Sequence, residues 1–265
     1  MIGSKRRAAL GLVVLLALSG CTGVFGGGSV SDERLDAQPP GPYDWNSSAD
    51  ADITLYANTT FAAVYDADGA EMRLFRRDGF GGRNPLSVEA VRYQYPNGTV
   101  ISGTELAERG EIRRTRGAVI VEFPNGDVEG DELAFTGESS PKRFALPTYV
   151  TGTYEISLPP GRRIGLPVFG RVSPPASQIS DPGSDDRVTV RIEKVESDTV
   201  VAQFYLPRDI RLLAGLLLVG GLVAGGGVAY YLRQIRQLQA EREELGLDVD
   251  TDDDDFGRDP PPGMG

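Results

Sequence analysis

The side chains of this chain that could do chemistry are its carboxylates, three lysines and a single thiol. The 265 residues include 38 Asp and Glu, no histidine and one cysteine, Cys21. The absence of histidine excludes Ser-His-Asp catalysis, a histidine general base and a His-ligated zinc site. A serine–lysine mechanism would need Lys142 or Lys194, and neither lies in a recognisable motif. We therefore predict that the chain is not an enzyme and that it binds no cofactor and no metal.

Carboxylate chemistry is the enzymatic alternative that stays open. Glycosidases need only a pair of carboxyl groups, so a carboxylate-dependent surface hydrolase is one alternative, although spacing singles out no pair. Asp248, Asp250, Asp252 and Asp254 alternate as in a calcium loop, but no register also supplies glycine at position six and glutamate at position twelve. This run is typical of a solvated acidic tail, which we predict over residues 248–265.

The residues around Cys21 resemble the lipobox of lipoprotein precursors. Leu18-Ser19-Gly20-Cys21 follows a basic Lys5-Arg6-Arg7 and an apolar stretch at 8–18, which is too short to cross about 30 Å of hydrocarbon. The resemblance implies a signal peptide over residues 1–20 and a lipid-modified Cys21 as the mature first residue. The arginine pair also resembles a twin-arginine export signal, so the export route stays open.

Three asparagines lie in glycosylation sequons, namely Asn46, Asn58 and Asn97. We predict that all three carry glycans, because they fall in the part of the chain placed outside the cell. Asn97 belongs to Tyr95-Pro96-Asn97-Gly98, whose proline and glycine predict a tight hairpin tip. Phe123-Pro124-Asn125-Gly126 predicts a second such hairpin without a sequon.

Residues 212–232 are predicted to form a single transmembrane helix. They contain no charge, and 21 residues of helix reach about 31 Å. Small residues recur every four positions at Gly221, Gly225 and Ala229, which predicts a face on which this helix associates with a partner helix or a second copy. Export of Cys21, with one span after it, predicts a cytoplasmic C-terminus. We expect a juxtamembrane linker at 208–211 and a cytoplasmic helix over 233–247.

The region between the two anchors is predicted to be one extracellular β domain. Residues 21–43 are rich in Gly and Ser after Cys21 and are expected to be a flexible tether, which leaves 44–207 for the domain. Apolar residues alternate with period two, which favours an antiparallel β-sandwich or open barrel. The predicted strands are 53–56, 60–65, 72–75, 91–95, 119–123, 133–135, 154–158, 188–193 and 200–206.

Three further features of the domain carry expectations. A short helix is predicted over 104–109 with Thr104 as its cap. Residues 165–186 are rich in Pro, Gly and Ser and predict a long surface loop. Trp45 is the sole tryptophan, and we expect it to be a packing residue beside Tyr43.

The composition adds a resemblance to haloarchaeal proteins. Net charge is −11, and only three of the 27 basic residues are lysine. Together with the lipobox and the order of parts, the chain resembles an uncharacterised family of haloarchaeal membrane lipoproteins, a resemblance that implies no activity. The acidity argues against nucleic acid as a partner.

The predicted function is that of a membrane-anchored extracytoplasmic lipoprotein with a non-enzymatic binding or interaction module. Its predicted partners are membrane lipid, a possible transmembrane partner and an unidentified ectodomain ligand. An accessory subunit of a membrane complex is the other alternative besides the surface hydrolase.

Overall fold

The computed structural model describes residues 28–244, other than 68, 125, 127, 128, 167 and 168. The chain divides into two compact units, and the second begins at Arg208. The predicted signal peptide, Cys21 and the tail after Glu244 lie outside the described residues, so those interpretations stay predictions.

The first unit is built from β-strands, as the alternating apolar residues predict. Among the described residues of this unit, the short helices are α1 (Asp32–Leu35) and α2 (Gly103–Arg109). Its strands are β1 (Ala51–Leu55), β2 (Thr60–Asp66), β3 (Glu71–Arg77), β4 (Arg83–Pro85), β5 (Glu89–Gln94), β6 (Val100–Ser102), β7 (Glu111–Arg114), β8 (Val119–Glu122), β9 (Glu132–Glu138), β10 (Arg143–Pro147), β11 (Gly152–Ser157), β12 (Arg171–Ser173), β13 (Gln178–Ile179), β14 (Thr189–Val195) and β15 (Thr199–Gln203).

These strands form three sheets. The largest has the order β13-β14-β11-β1-β2-β9-β5-β6, and the smaller ones are β10-β15-β12 and β4-β3-β8-β7. The predicted mainly β fold with a C-terminal helix of spanning length is confirmed. One strand pair departs from the predicted antiparallel pattern, because β1 and β11 run parallel. A parallel pair needs a long crossover connection, and here nine strands lie between the two in sequence.

Aromatic side chains from the large sheet form the centre of the core. Tyr65 stacks on Phe135 with ring centroids 5.7 Å apart, and Phe61 meets Phe144 of β10 edge to face at 5.3 Å. The last contact packs the three-stranded sheet against the large one. Each of these rings is about 1% exposed or less, and burying such a side chain stabilises a fold by about 1.5–3 kcal/mol.

Residues 28–50, which we call the N-terminal strap, pack onto the domain, so the predicted flexible tether is wrong for residues 28–43. The strap begins as an added edge strand, since Arg114 N donates to Gly28 O at 2.8 Å and Ser29 forms a β-bridge with Arg113. Val30 and Leu35 are buried.

The rest of the strap is held by polar contacts to the large sheet. Tyr43 Oη donates to Ala90 O at 2.5 Å and lies 3.0 Å from Thr136 Oγ1. Trp45 lies half-buried beside Tyr43, with ring centroids 5.9 Å apart. The strap lacks a repeating apolar pattern because each of its apolar residues fills a separate site on the sheet.

The short helix α2 forms where the sequence predicts it, but with a different cap. Ser102 is the N-cap, and its Oγ accepts from Glu105 N at 3.2 Å. Thr104 lies inside the helix and its backbone N–H donates to Asp36 Oδ1 of the strap at 3.0 Å. A serine three residues before Glu105 is the ordinary capping geometry, so the helix starts one residue earlier than predicted.

The predicted turns and loop are present with more structure than expected. Gly98 has φ +80° and its N–H donates to Tyr95 O at 2.8 Å, which closes the β5–β6 hairpin. Gly126, at φ +69°, donates to Phe123 O in the second predicted turn. The long segment 165–186 contains the short strands β12 and β13, which pair with β15 and β14.

The second unit contains most of one long helix, α3 (Pro207–Glu244). It is the one described helix long and apolar enough to cross a membrane, and its apolar residues are exposed to the surroundings. Residues 208–211, predicted to be a linker, belong to its first turn. Proline at the first helical position is compatible with that start, because its missing N–H would have had no intrahelical partner.

Candidate functional site

A tight hairpin between β3 and β4 overhangs the three-stranded sheet. Asp78 builds the turn, because its Oδ1 accepts from Phe80 N at 2.9 Å and from Gly82 N at 2.7 Å. Gly81 takes φ +84°, which a side chain would disfavour. Phe80 at the tip is fully exposed. These contacts fix the conformation of the turn beside the three-stranded sheet.

Beneath the hairpin lies the outer face of β10-β15-β12. Arg143 and Arg171 both pair in register with Gln203, from opposite sides. Directly paired residues point to the same face of a sheet, so both arginines and Gln203 lie on one face. Further along β10 that face carries the small side chain of Ala145, which leaves room above the strand.

Two adjoining cavities form a groove here, which we call the arginine cleft. The smaller, of about 100 Å³, is lined by Arg76, Arg77 and Arg143 together with Glu138, Ser139 and Ser140. The larger, of about 270 Å³, reaches along the hairpin base to Pro147 and Thr199. Arg77, Arg143 and Ala145 line both cavities, so the two adjoin at these side chains.

The three guanidinium groups of the cleft differ in how they are held. Arg76 donates to the carbonyl oxygen of Glu138. Arg77 reaches Asp198 at 3.6 Å, but that carboxylate is 87% exposed, and such a pair contributes little. The Arg143 guanidinium makes no hydrogen bond or ion pair with any other described residue. Arg143 is thus the cation of the cleft that is open to a ligand.

The charge around the cleft is positive although the chain as a whole is acidic. Arg83 lies directly across the β3–β4 pair from Arg77, and its guanidinium sits 4.7 Å from the Phe75 ring centroid. Like charges at directly paired positions are unfavourable without a counter-ion. The cleft also contains the carboxylates of Asp78 and Glu138, and the Asp78 carboxylate is occupied by the turn. A net positive groove of this kind suits an anion.

The side chains that line the cleft can donate hydrogen bonds to an anion. Guanidinium groups present paired N–H donors that match the oxygens of a carboxylate, phosphate or sulfate. The hydroxyls of Ser139 and Ser140 can donate to further oxygens. The lining residues include no thiol and no lysine, and no hydroxyl among them is hydrogen-bonded to a carboxylate base, so the described cleft holds no activated nucleophile.

The three predicted glycosylation sites all lie at exposed positions. Asn97 occupies the tip of the β5–β6 hairpin and Asn58 the turn between β1 and β2. Asn46 lies in the strap. The Asn58 Oδ1 accepts from Thr60 Oγ1 at 2.7 Å, which brings together the two polar side chains of its sequon. Their modification stays a prediction.

The predicted association face lies on α3. A Cβ at Gly221 or Gly225 would meet nothing within 4 Å, and Ala229 is exposed. The face is therefore available for another helix, and its use stays a prediction. Cys21, the predicted lipidation site, lies outside the described residues.

The structure also brings together carboxyl groups on the large sheet, the feature that a hydrolase would need. Asp52 and Glu155 are in register on β1 and β11. Glu155 accepts from Arg191 at 3.1 Å, and Asp52 faces Ser47 and Asp44 of the strap. Asp52 is half-buried beside the strap, Glu155 is half-buried and paired with Arg191, and neither residue lines the arginine cleft.

Sequence reasoning missed the arginine cleft. Arg76 and Arg77 are adjacent in sequence, but Arg143 follows 66 positions after Arg77. They meet only because β3 packs beside β10. The available signal was the contrast between a run of arginines near residue 80 and an otherwise acidic domain.

Comparison with known protein families matches residues 47–250 to a family of unknown function (DUF5803). Comparison with curated proteins finds no match. The matched range includes the cleft, most of the β domain and the whole of α3.

Proposed function

We propose that this chain, which belongs to the DUF5803 family of unknown function, is a surface lipoprotein. Its arginine cleft would bind an anionic ligand without transforming it. The β domain would lie outside the cell and α3 would hold it in the membrane. Lipid on Cys21 would supply a second anchor.

The membrane part of the proposal is supported by α3 and by the N-terminal sequence. One helix of suitable length and apolarity with an exposed surface is what a single span requires. The lipobox at residues 18–21 supports export, and a single later span then supports a cytoplasmic C-terminus. Mass spectrometry of the mature N-terminus tests the lipid, and an unmodified Cys21 would contradict it.

Orientation has its own experiment. Protease added to intact cells should digest the β domain and spare an epitope placed after residue 244. Loss of the epitope together with the domain would reverse the proposed orientation.

The observation that carries the binding part is the free guanidinium of Arg143, which lines the same groove as Arg76 and Arg77. An arginine held open in this setting gains most from an oxyanion, because a charge-assisted contact is about twice as strong as a neutral hydrogen bond. Binding without chemistry is the proposal for this cleft, whose described lining residues include no thiol and no lysine.

The test is anion binding by the full-length protein in detergent. Phosphate, sulfate and citrate are titrated against chloride at constant ionic strength by calorimetry. At least one of them should bind, and Arg143→Gln should weaken that binding about tenfold, which corresponds to about 1.4 kcal/mol. Arg116→Gln is the matched control, because Arg116 is exposed and lines neither cavity. Equal affinities for the two variants would contradict the assignment of the cleft.

A second candidate function, an accessory subunit of a membrane complex, is favoured by the open glycine face of α3. Helices in lipid associate where small residues let backbones approach. Gly225→Ile should abolish a crosslink between α3 and its partner in native membranes, whereas Leu222→Ile, a change that leaves the glycines in place, should not. An unchanged crosslink in Gly225→Ile would remove this candidate.

A further inference from the structure

The smaller cavity of the arginine cleft is lined by two side chains of opposite charge that do not pair. Arg143 and Glu138 both line it. They form no ion pair with each other, and neither charged group makes a hydrogen bond or ion pair with another residue in the part of the chain that the structure describes. The cavity thus offers a free cation and a free anion to the same ligand.

The backbone that carries these two side chains is held in place without a ligand. A tight turn joins β9 to β10, and in it Ser140 and Arg143 exchange backbone hydrogen bonds at 3.2 and 3.4 Å. The side chain of Arg76 on β3 donates to the carbonyl oxygen of Glu138. The points from which the two charged side chains extend are therefore set by the fold.

The size of the cavity makes a simple anion a poor fit. A volume of about 100 Å³ has room for about seven to ten water-sized groups, which is the size of a small polar molecule. An anion bound to Arg143 in this space lies close to the Glu138 carboxylate, and charges of the same sign repel at such a distance. A cationic group on the ligand itself, beside its anion, replaces that repulsion with an attraction.

The net charge of the whole cleft indicates the net charge of the ligand. The described lining residues carry three positive charges, on Arg76, Arg77 and Arg143, and two negative charges, on Asp78 and Glu138, so the net charge is +1. A ligand with one ammonium group and two carboxylates carries −1 and matches it. Since Arg77 lines both cavities, a second carboxylate on the ligand would find a cation where the cavities adjoin.

We infer that the arginine cleft binds an acidic α-amino acid. Its α-carboxylate would contact Arg143, its ammonium group Glu138, and its side-chain carboxylate Arg77. The inference rests on the proposed function and names the ligand class of the same site. A guanidinium matches a carboxylate through paired N–H donors, and an ionised glutamate accepts hydrogen bonds from an ammonium group.

A pair of ligands tests the ammonium group on the unaltered protein. L-Glutamate and glutarate share one carbon chain and two carboxylates, but glutarate lacks the ammonium group. Both are titrated into the full-length protein in detergent by calorimetry, at neutral pH and constant ionic strength. L-Glutamate should bind about tenfold more tightly, although glutarate carries the larger negative charge. Equal affinities, or tighter binding of glutarate, would overturn the inference.

L-Glutamine tests the side-chain carboxylate in the same experiment. It keeps the α-amino acid and replaces the second carboxylate with a neutral amide of similar shape. Because a charge-assisted hydrogen bond is about twice as strong as a neutral one, L-glutamine should bind about fivefold more weakly than L-glutamate. Equal affinities of L-glutamine and L-glutamate would contradict the assignment to an acidic amino acid.

Glu138→Gln places the ammonium contact at one residue. The variant keeps the backbone carbonyl that Arg76 contacts, and it should weaken L-glutamate about tenfold without weakening glutarate. Glu108→Gln is the matched control, because Glu108 is exposed and lines neither cavity, and it should keep the full preference. An undiminished preference for L-glutamate in Glu138→Gln would remove Glu138 from the site and overturn the inference.

Arg143→Gln separates failure of this inference from failure of the proposed function. It should weaken L-glutamate and glutarate alike. If glutarate, phosphate, sulfate or citrate binds and is weakened by Arg143→Gln, but L-glutamate is not preferred, the amino-acid assignment is overturned and the anion site stands. If none of these anions binds the unaltered protein, both the inference and the binding part of the proposed function are overturned.

Discussion

Two sheet faces of the β domain differ in how their charged side chains are buried and paired. On the large sheet, carboxyl groups are half-buried, and they lie beside the N-terminal strap, as Asp52 does, or pair with a neighbour, as Glu155 does with Arg191 at 3.1 Å. On the three-stranded sheet, Arg143 and Arg171 stand open on either side of Gln203. The comparison separates charges that belong to the fold from charges that are free for a ligand.

The half-buried carboxyl groups show the cost of their position in their pKa values. Burial, with Glu155 and Asp44 nearby, raises the pKa of Asp52 to about 6. Burial, with Asp66 and Asp44, raises the pKa of Glu132 to about 7. Both groups are less stable as carboxylates in the folded protein than in water. Their positions are therefore tolerated by the fold and are not its source of stability.

The largest expected effect comes from removing the strap's buried leucine. Leu35→Ala should lower the free energy of unfolding by about 2–4 kcal/mol, because Leu35 is 1% exposed and its loss leaves a cavity. Trp45 is the sole tryptophan and lies in the strap, so urea unfolding can be followed by its fluorescence. A loss below about 1 kcal/mol would mean that the strap is a dispensable cover.

The strap's polar anchor should matter less. Tyr43→Phe removes the hydroxyl that donates to Ala90 O at 2.5 Å and should cost about 1–2 kcal/mol. The ring and its contact with Trp45 stay in place. Urea unfolding measures the change, with Tyr230→Phe in α3 as a control expected to leave it unaltered. No loss in Tyr43→Phe would show that packing alone holds the strap.

A half-buried carboxyl should give an effect that depends on pH. The pKa of Asp52 is about 6 in the folded protein and 3.8 in the unfolded chain. Asp52 therefore stays protonated to a higher pH in the folded state than in the unfolded state. Stability from this group is fully present below about pH 4 and is lost as pH rises to about 6.

Substituting that carboxyl therefore has a definite sign. Asp52→Asn should stabilise the protein at pH 8 by about 1 kcal/mol after allowance for screening by solvent, and should change nothing at pH 4. Unfolding at the two pH values measures it. A destabilised variant at pH 8 would show that the ionised Asp52 supports the fold.

The open arginine should give the smallest effect on stability. Arg143→Gln removes no contact within the described structure, and surface changes of this kind stay within about 0.5 kcal/mol. An unchanged free energy of unfolding together with weakened anion binding would show that Arg143 serves the ligand and not the fold. A fall of more than 1 kcal/mol in the free energy of unfolding would show that Arg143 supports the fold.

Strands were predictable wherever a regular alternation faces one core. Residues 188–193 and 91–95 alternate, and they form β14 and β5. Strand β10 was missed because Arg143–Pro147 is short and ends in a proline, and the strap was missed because single residues such as Leu35 fill isolated sites. The alternation of apolar residues predicts which face of a strand is buried. It does not predict which irregular segment packs on that face.

The candidate site was less accessible to sequence reasoning than the fold. Absence of histidine limited the chemistry without any structure, and Arg76-Arg77 stood out in composition. The cleft itself depends on the position of Arg143 beside β3, which is a non-local contact between two sheets. A single sequence does not encode that neighbourhood in any local pattern.

The edge pairing of the strap has a mechanical consequence. Gly28 is hydrogen-bonded to β7 and lies seven residues after Cys21. The segment between a lipid-modified Cys21 and the domain would therefore span at most about 25 Å. A lipid on Cys21 would thus set the greatest distance at which the β7 edge of the four-stranded sheet can stand from the lipid.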